Sequence, residues 1–214
     1  NRSAARLAMP EVPEALFLDS IRELVKIDAA WVPGGGENSM YLRPFMFASE
    51  AFLGVRPANE YKFMVIASPV GAYFSGGVKP VKIWLSSNYA RAAFGGTGAA
   101  KCGGNYAAGL LAQMEASERG CEQVCFVDAT EHKWIEERDG MNLYFVFKDG
   151  TLVTPPTKGT ILEGITRGSL LALAGEQGLK PVERAISVDD HGIVELWRGA
   201  ELVRRFEASP QANA

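Results

Sequence analysis

Lys101 lies in the string Gly95-Gly-Thr-Gly-Ala-Ala-Lys101-Cys-Gly-Gly-Asn105-Tyr106-Ala-Ala-Gly109, where six glycines surround one amine. Glycine lets backbone approach a ligand closely and adopt φ > 0, which a Cβ forbids. An amine enclosed in this way is expected to be desolvated. Desolvation lowers a lysine pKa and makes the amine a nucleophile able to form a Schiff base with a carbonyl. The string is not a phosphate-cradling P-loop, because the spacing to Lys101 differs and no Ser or Thr follows the lysine. Nor does it open a G-x-G-x-x-G turn between a clear strand and a helix. Composition and spacing leave a structural turn and a ligand site as equal alternatives.

Three other strings carry usable chemistry. In Gly159-Thr-Ile-Leu-Glu-Gly164-Ile165-Thr166-Arg167 a glycine turns the chain into a helix whose free N–H groups can face an anion. The helix dipole adds about half a positive charge there; an ordinary Thr-capped helix is the alternative. In Trp134-Ile-Glu-Glu137-Arg-Asp-Gly140-Met141-Asn142 the two glutamates read, by themselves, as solvated charges ahead of a strand. In Tyr41-Leu-Arg43 an aromatic and an arginine alternate on a strand and share one face.

The elements that must position these groups follow from periodicity. Residues 10–28 carry apolar side chains at helical spacing behind Pro10 and Pro13, and a Gly34–Gly36 turn follows. Met40–Phe47 and Tyr61–Ala67 read as strands, and 69–80 as a glycine-rich connector. Val81–Leu85 is a further strand. A helix capped by Asn105 is expected to run to about Glu118 and to stop at Gly120. Strands at Gln123–Val127 and Leu143–Phe147 follow, with Lys148-Asp-Gly150 turning the chain into Thr151–Thr154. A last helix spans about Thr166 to Gln177 and ends at Gly178. Hairpins interspersed with helices predict an α+β fold.

Bulk composition narrows the function classes. With 214 residues, 47% hydrophobic and 22% charged, the chain is ordinary globular protein. A net charge of −3 and pI near 5.5 give nucleic acid or an anionic membrane nothing to recommend it. No apolar run reaches the roughly 18 residues of a membrane span. No apolar stretch follows Asn1–Arg6, so no signal peptide is expected. Three cysteines form no disulfide framework, which points to reduced thiols in the cytoplasm. The two histidines, His132 and His191, lack metal-ligand spacing.

The string from Gly95 to Gly109, taken whole, resembles the cofactor-lysine segment of branched-chain amino acid aminotransferases, members of the fold-type IV family of pyridoxal-phosphate enzymes. The resemblance implies that Lys101 carries pyridoxal 5'-phosphate and acts as the catalytic base and acid, with the Tyr106 hydroxyl on the phenolic oxygen. It implies that Glu137, four residues before Met141-Asn142, meets the pyridine nitrogen. A carboxylate there keeps the nitrogen protonated, so the ring can serve as an electron sink. Gly164, Ile165 and Thr166 match the family's phosphate-binding turn, and Arg91 in Tyr89-Ala-Arg-Ala92 matches a position lining the site. Tyr41, Arg43 and Tyr73 match substrate positions, the first two reaching the site of a neighbouring subunit.

The resemblance therefore implies amino transfer between leucine, isoleucine or valine and 2-oxoglutarate, through their 2-oxo acids and glutamate, in a cytoplasmic homodimer. The implied domains are 1–70, the C-terminal part of a small α/β domain; 71–80, a connector; 81–190, a mixed-sheet large domain holding the cofactor; and 191–214, a divergent tail. The match runs from about Arg2 to Asp189. The family's phosphate-clamping arginine ahead of this stretch and its Gly-Thr-Ala carboxylate loop beyond it are not found. The expectation is a member truncated at both ends, with Ser209–Ala214 disordered. A non-catalytic cofactor-binding or dimer-associating remnant is the alternative. A D-amino acid aminotransferase or aminodeoxychorismate lyase fits the Lys101 string poorly.

Overall fold

Pro13 sets the start of the first long helix: its fixed φ precedes Glu14, and helix α2 (Glu14–Ile27) runs from there. The computed structural model describes residues 1–72 and 80–188 in full, and 193–198 and 201–207 as backbone. Tyr73 and the tail Ser209–Ala214 lie outside the described residues. The chain forms two compact units, Asn1–Lys79 and Pro80–Ala214.

In the first unit a short helix not anticipated from sequence, α1 (Arg2–Arg6), precedes α2. Strands β1 (Ser39–Ala48) and β2 (Tyr61–Val70) form an antiparallel ribbon. Phe17, Ile21, Leu24 and Val25 share the half-buried face of α2. Phe17 packs on Phe63 with ring centroids 5.9 Å apart. Tyr61, Phe63, Val65 and Ala67 alternate inward along β2, the period of a half-covered strand. Pro44 sits within β1 opposite Val65, tolerable because a two-stranded ribbon leaves one side of each strand unpaired. The other face carries Tyr41 and Arg43, registered against Ser68 and Ile66.

The second unit holds two parallel strand–helix–strand passes. In the first, β3 (Ile83–Ser86) leads through the Lys101 loop and α3 (Gly103–Glu118) to β4 (Gln123–Val127), and β5 (Ile135–Arg138) adds antiparallel to β4. In the second, β7 (Thr151–Thr154) leads through α4 (Ile165–Ala174) and a 3-10 turn to β8 (Lys180–Glu183), with β6 (Phe145–Val146) antiparallel on β7. Backbone strands β9 (Ile193–Arg198) and β10 (Glu201–Glu207) pair antiparallel. Ala112, Ala116, Val124 and Phe126 form the core between α3 and β4. Full burial of a side chain such as Phe126 stabilises by about 1.5–3 kcal/mol. Val146, Leu152 and Ala174 form a second cluster.

Three expectations are corrected. Helix α3 begins at Gly103 with Cys102 as its cap residue, so Asn105 lies inside the first turn and does not cap it. Residues 135–138 form a strand that periodicity did not predict, and Glu137 is 3% exposed, which removes the alternative of a solvated charge there. The strand expected over 143–147 shrinks to Phe145–Val146, the Leu143 carbonyl being taken by the Thr154 hydroxyl at 2.7 Å.

Candidate active site

The Lys101 loop leaves the C-terminal end of β3, the side of an open α/β sheet where ligands bind. Its path is fixed by contact with the 159–162 turn. Ala99 N–H donates to Gly159 O at 3.1 Å. A Cβ on Gly98 would stand 2.3 Å from Thr160 O and 2.6 Å from Ala92 Cβ, so the two loops meet there only because residue 98 is glycine. Lys101 is exposed, so the desolvation expected from its glycines is corrected. Its Nζ donates to the Tyr106 hydroxyl at 2.7 Å and stands 5.1 Å from that ring's centroid. Helix α3 supplies this acceptor one turn beyond the lysine.

Glu137 faces the same region. Its Oε2 pairs with Arg91 Nη2 at 2.7 Å, both side chains 4% exposed, and accepts the Leu162 N–H at 3.4 Å. Its Oε1 accepts Asn142 Nδ2 at 3.2 Å. Burial lifts the Glu137 carboxyl above its ordinary range, against the pull of Arg91, the Leu162 N–H and the Lys101 ammonium. Arg91 also donates to Thr160 O, and its Nε is buried without a hydrogen-bond partner. Arg91, matched to a cofactor-lining position, thus bonds Glu137 and the 160 turn.

The neighbouring Glu136 accepts the Thr160 hydroxyl at 2.6 Å, and burial raises its carboxyl too. Asp128, at the end of β4, accepts backbone N–H groups from Thr130, Glu131, Lys133 and Trp134. Burial pushes this carboxyl up, but the four donors outweigh it and hold it down at about 2. That turn sets where β5, and so Glu137, begins.

Gly164 is the cap residue of α4 and no side chain caps the helix. Ile165 and Thr166 are exposed in the first turn, which directs backbone N–H groups outward without intrahelical partners. The Thr cap considered from sequence is not used. Gly164 packs so tightly on Asn142 that a Cβ would lie 2.3 Å from its Oδ1. Asn142 donates to Leu162 O at 2.9 Å as well, tying this turn to Glu137. Sequence reasoning missed Asn142 and Thr160 as site residues; the Met141-Asn142 pair served only as a spacing marker. Tyr41 and Arg43 are exposed neighbours in the first unit, Arg43 Nη2 donating to Tyr41 OH at 3.4 Å. Among the described residues no helix is long and apolar enough to cross a membrane. No group of three or more His, Cys, Asp or Glu among them could hold a metal ion.

An amine on a hydroxyl, a buried charge-balanced carboxylate and an open helix N-terminus on one mixed α+β scaffold define a class. The chain belongs to the amino-transferase class IV family, which matches residues 1–197. Within it, the chain is 58% identical over 192 residues to a branched-chain-amino-acid aminotransferase of Mycolicibacterium smegmatis, covering 88% of this chain and 52% of that protein. The chain thus spans about half the length of the curated relatives it matches. In structure it resembles the T.th. branched-chain amino acid aminotransferase with pyridoxamine 5'-phosphate, TM-score 0.74 at 32% identity, over 88% of this chain and 60% of that one. It also resembles the Thermoproteus uzoniensis branched-chain aminotransferase with norvaline, TM-score 0.75 at 25% identity, over 96% and 67%. The fold is that of fold-type IV aminotransferases.

Proposed function

We propose that this chain is the lysine-bearing part of a branched-chain amino acid aminotransferase that uses pyridoxal 5'-phosphate. The observation that carries the reading is the convergence on Lys101. Its amine is held by Tyr106 at 2.7 Å, and Glu137, 3% exposed, is tied through Arg91 to the Thr160 turn that packs against Gly98 of the same loop. The donor set fits the cofactor. Glu137 uses three of about four lone-pair directions, on Arg91, Leu162 and Asn142, which leaves one for a ring N–H. The α4 N-terminus presents uncapped N–H groups suited to a phosphate.

When bound, the cofactor supplies an aldehyde for an amine to condense with and a ring that spreads carbanion charge. Lys101 is its attachment point. A Lys101 Nζ set free in the substrate complex would take the proton from the substrate α-carbon and hold it for return. Tyr106 fixes the amine by accepting its hydrogen bond. Glu137 holds positive charge at the ring nitrogen, and Arg91 keeps that carboxylate ionised and in place. The amides of Ile165 and Thr166 hold the phosphate. Tyr41 and Arg43 contact the substrate from a second subunit of a cytoplasmic homodimer, and Tyr73 lines the same site. Residues 1–70 belong to the small domain, 71–80 connect, and 81–190 form the cofactor-binding domain.

The alternative reading is a cofactor-binding module without turnover. The test is glutamate formation from leucine and 2-oxoglutarate by the purified chain with pyridoxal phosphate. Glutamate that disappears in Lys101→Ala supports the first reading. Cofactor bound without glutamate supports the second. Absence of cofactor binding overturns both.

A further inference from the structure

We propose that Asn105 is the positioning residue for the Lys101 amine; this rests on the reading of Lys101 as the cofactor's attachment point. Asn105 is 6% exposed, in the first turn of α3. Its Nδ2 donates to Thr97 O and to Ala100 O, both at 2.8 Å. Its Oδ1 accepts the Thr97 hydroxyl, also at 2.8 Å. Its main-chain N–H donates to Cys102 O at 3.3 Å. One residue therefore grips the chain on both sides of Lys101, at Ala100 and at Cys102.

The 159–162 turn holds the loop at Gly98 and Ala99, and Asn105 holds it next to the lysine itself. Between Gly98 and Lys101 stand only two alanines, whose side chains form no hydrogen bonds. The Ala100 carbonyl takes the Cys102 N–H at 3.1 Å and the Asn105 amide, so both its lone pairs are used. The Thr97 carbonyl likewise takes the Ala100 N–H at 2.8 Å and the same amide. Only a side chain with two donors and an acceptor satisfies all three partners. An ionised Asp would aim oxygens at two carbonyls. The next residue, Tyr106, receives the Lys101 amine. The backbone grip and the amine's acceptor thus sit on the same helical turn, and the Nζ position follows from both.

The test is reductive fixation of pyridoxal phosphate with borohydride at limiting cofactor, with the label mapped by mass spectrometry. Thermal melts run in parallel on the full chain, Lys101→Ala, Asn105→Ala and Thr97→Val. The full chain is expected to carry its label on Lys101. Folded Asn105→Ala is expected to lose about tenfold in labelling at Lys101, the scale of a misplaced reactive group. Thr97→Val, which removes one of the three side-chain bonds, is expected to lose about threefold. Folded Asn105→Ala labelling Lys101 like the full chain overturns the proposal. If Asn105→Ala does not melt cooperatively, equal labelling of Thr97→Val does so.

Acetic anhydride acylation without cofactor separates this proposal from the functional reading. Asn105→Ala is expected to change the reactivity of Lys101 relative to the other lysines by about threefold. An unchanged ratio sinks the positioning role. An unlabelled Lys101 in the full chain sinks the functional reading instead.

Discussion

The Arg91 guanidinium meets the Glu137 carboxylate at 2.7 Å, with each side chain only 4% exposed. The pair is costly to desolvate, and removing one partner leaves an uncompensated buried charge. Arg91→Ala is therefore expected to destabilise the Pro80–Ala214 unit by about 3–5 kcal/mol. It is also expected to raise the Glu137 carboxyl further. Arg91→Lys keeps the charge but not the fork that reaches both Glu137 and Thr160 O, so it should recover only part of the loss. Urea melts of the three proteins measure both effects.

The Gly98 contact with Thr160 sets a steric test. A Cβ at 98 would meet backbone 2.3 Å away, and backbone cannot rotate aside as a side chain can. Gly98→Ala is expected to cost about 1–3 kcal/mol, the range for overpacking a filled site. The two loops must separate, so cofactor affinity should fall too. Gly103→Ala, where a Cβ meets nothing within 4 Å, is the control. Thermal melts and cofactor titration of both variants check this.

Asp128 and the site carboxyls give opposite pH limbs. Asp128 is held at about 2 in the fold, below the roughly 3.9 of an unfolded Asp. Its stabilisation is complete above the unfolded value and is lost as pH falls through about 2. Glu136 and Glu137 are raised by burial, so their contribution is full below their unfolded values. It is lost as pH climbs through their folded ones. Asp128→Asn is expected to flatten the acid limb and to cost about 2 kcal/mol at neutral pH through lost backbone hydrogen bonds. Glu136→Gln is expected to flatten the opposite limb. Stability measured against pH for each variant decides the signs.

Arg43 separates stability from function. It is exposed and touches only Tyr41 in the hydrogen bonds described for it. Arg43→Ala should leave the melting of the first unit within about 0.5 kcal/mol of the parent. If Arg43 contacts substrate, turnover falls by about tenfold or more. Unchanged turnover in a catalytically competent dimer removes Arg43 from the site.

The Lys101 loop was readable because its glycines and its lysine are adjacent in sequence, and close contacts at Gly98 and Gly109 demand glycine there, although the lysine itself is exposed. The same holds for α3 and for the Gly120 and Gly178 stops, whose φ values are +69° and +76°. Strand β5 was not readable. Ile-Glu-Glu-Arg looks solvated until Arg91, Leu162 and Asn142, distant in sequence, supply its partners. Asn105 was misread for a related reason: its side chain bonds backward into the loop, which no cap pattern encodes. The parallel pairing of β8 with β7 is likewise a tertiary outcome.

The pairing of Lys101 with Glu137 around one ring is tested most directly by the visible absorption spectrum with pyridoxal phosphate. It should be recorded for the full chain, Lys101→Ala and Glu137→Ala. We expect a long-wavelength band in the full chain, no such band in Lys101→Ala, and a displaced, more readily lost band in Glu137→Ala. A band that persists in Lys101→Ala, or a Glu137→Ala spectrum identical to that of the full chain, contradicts the assignment.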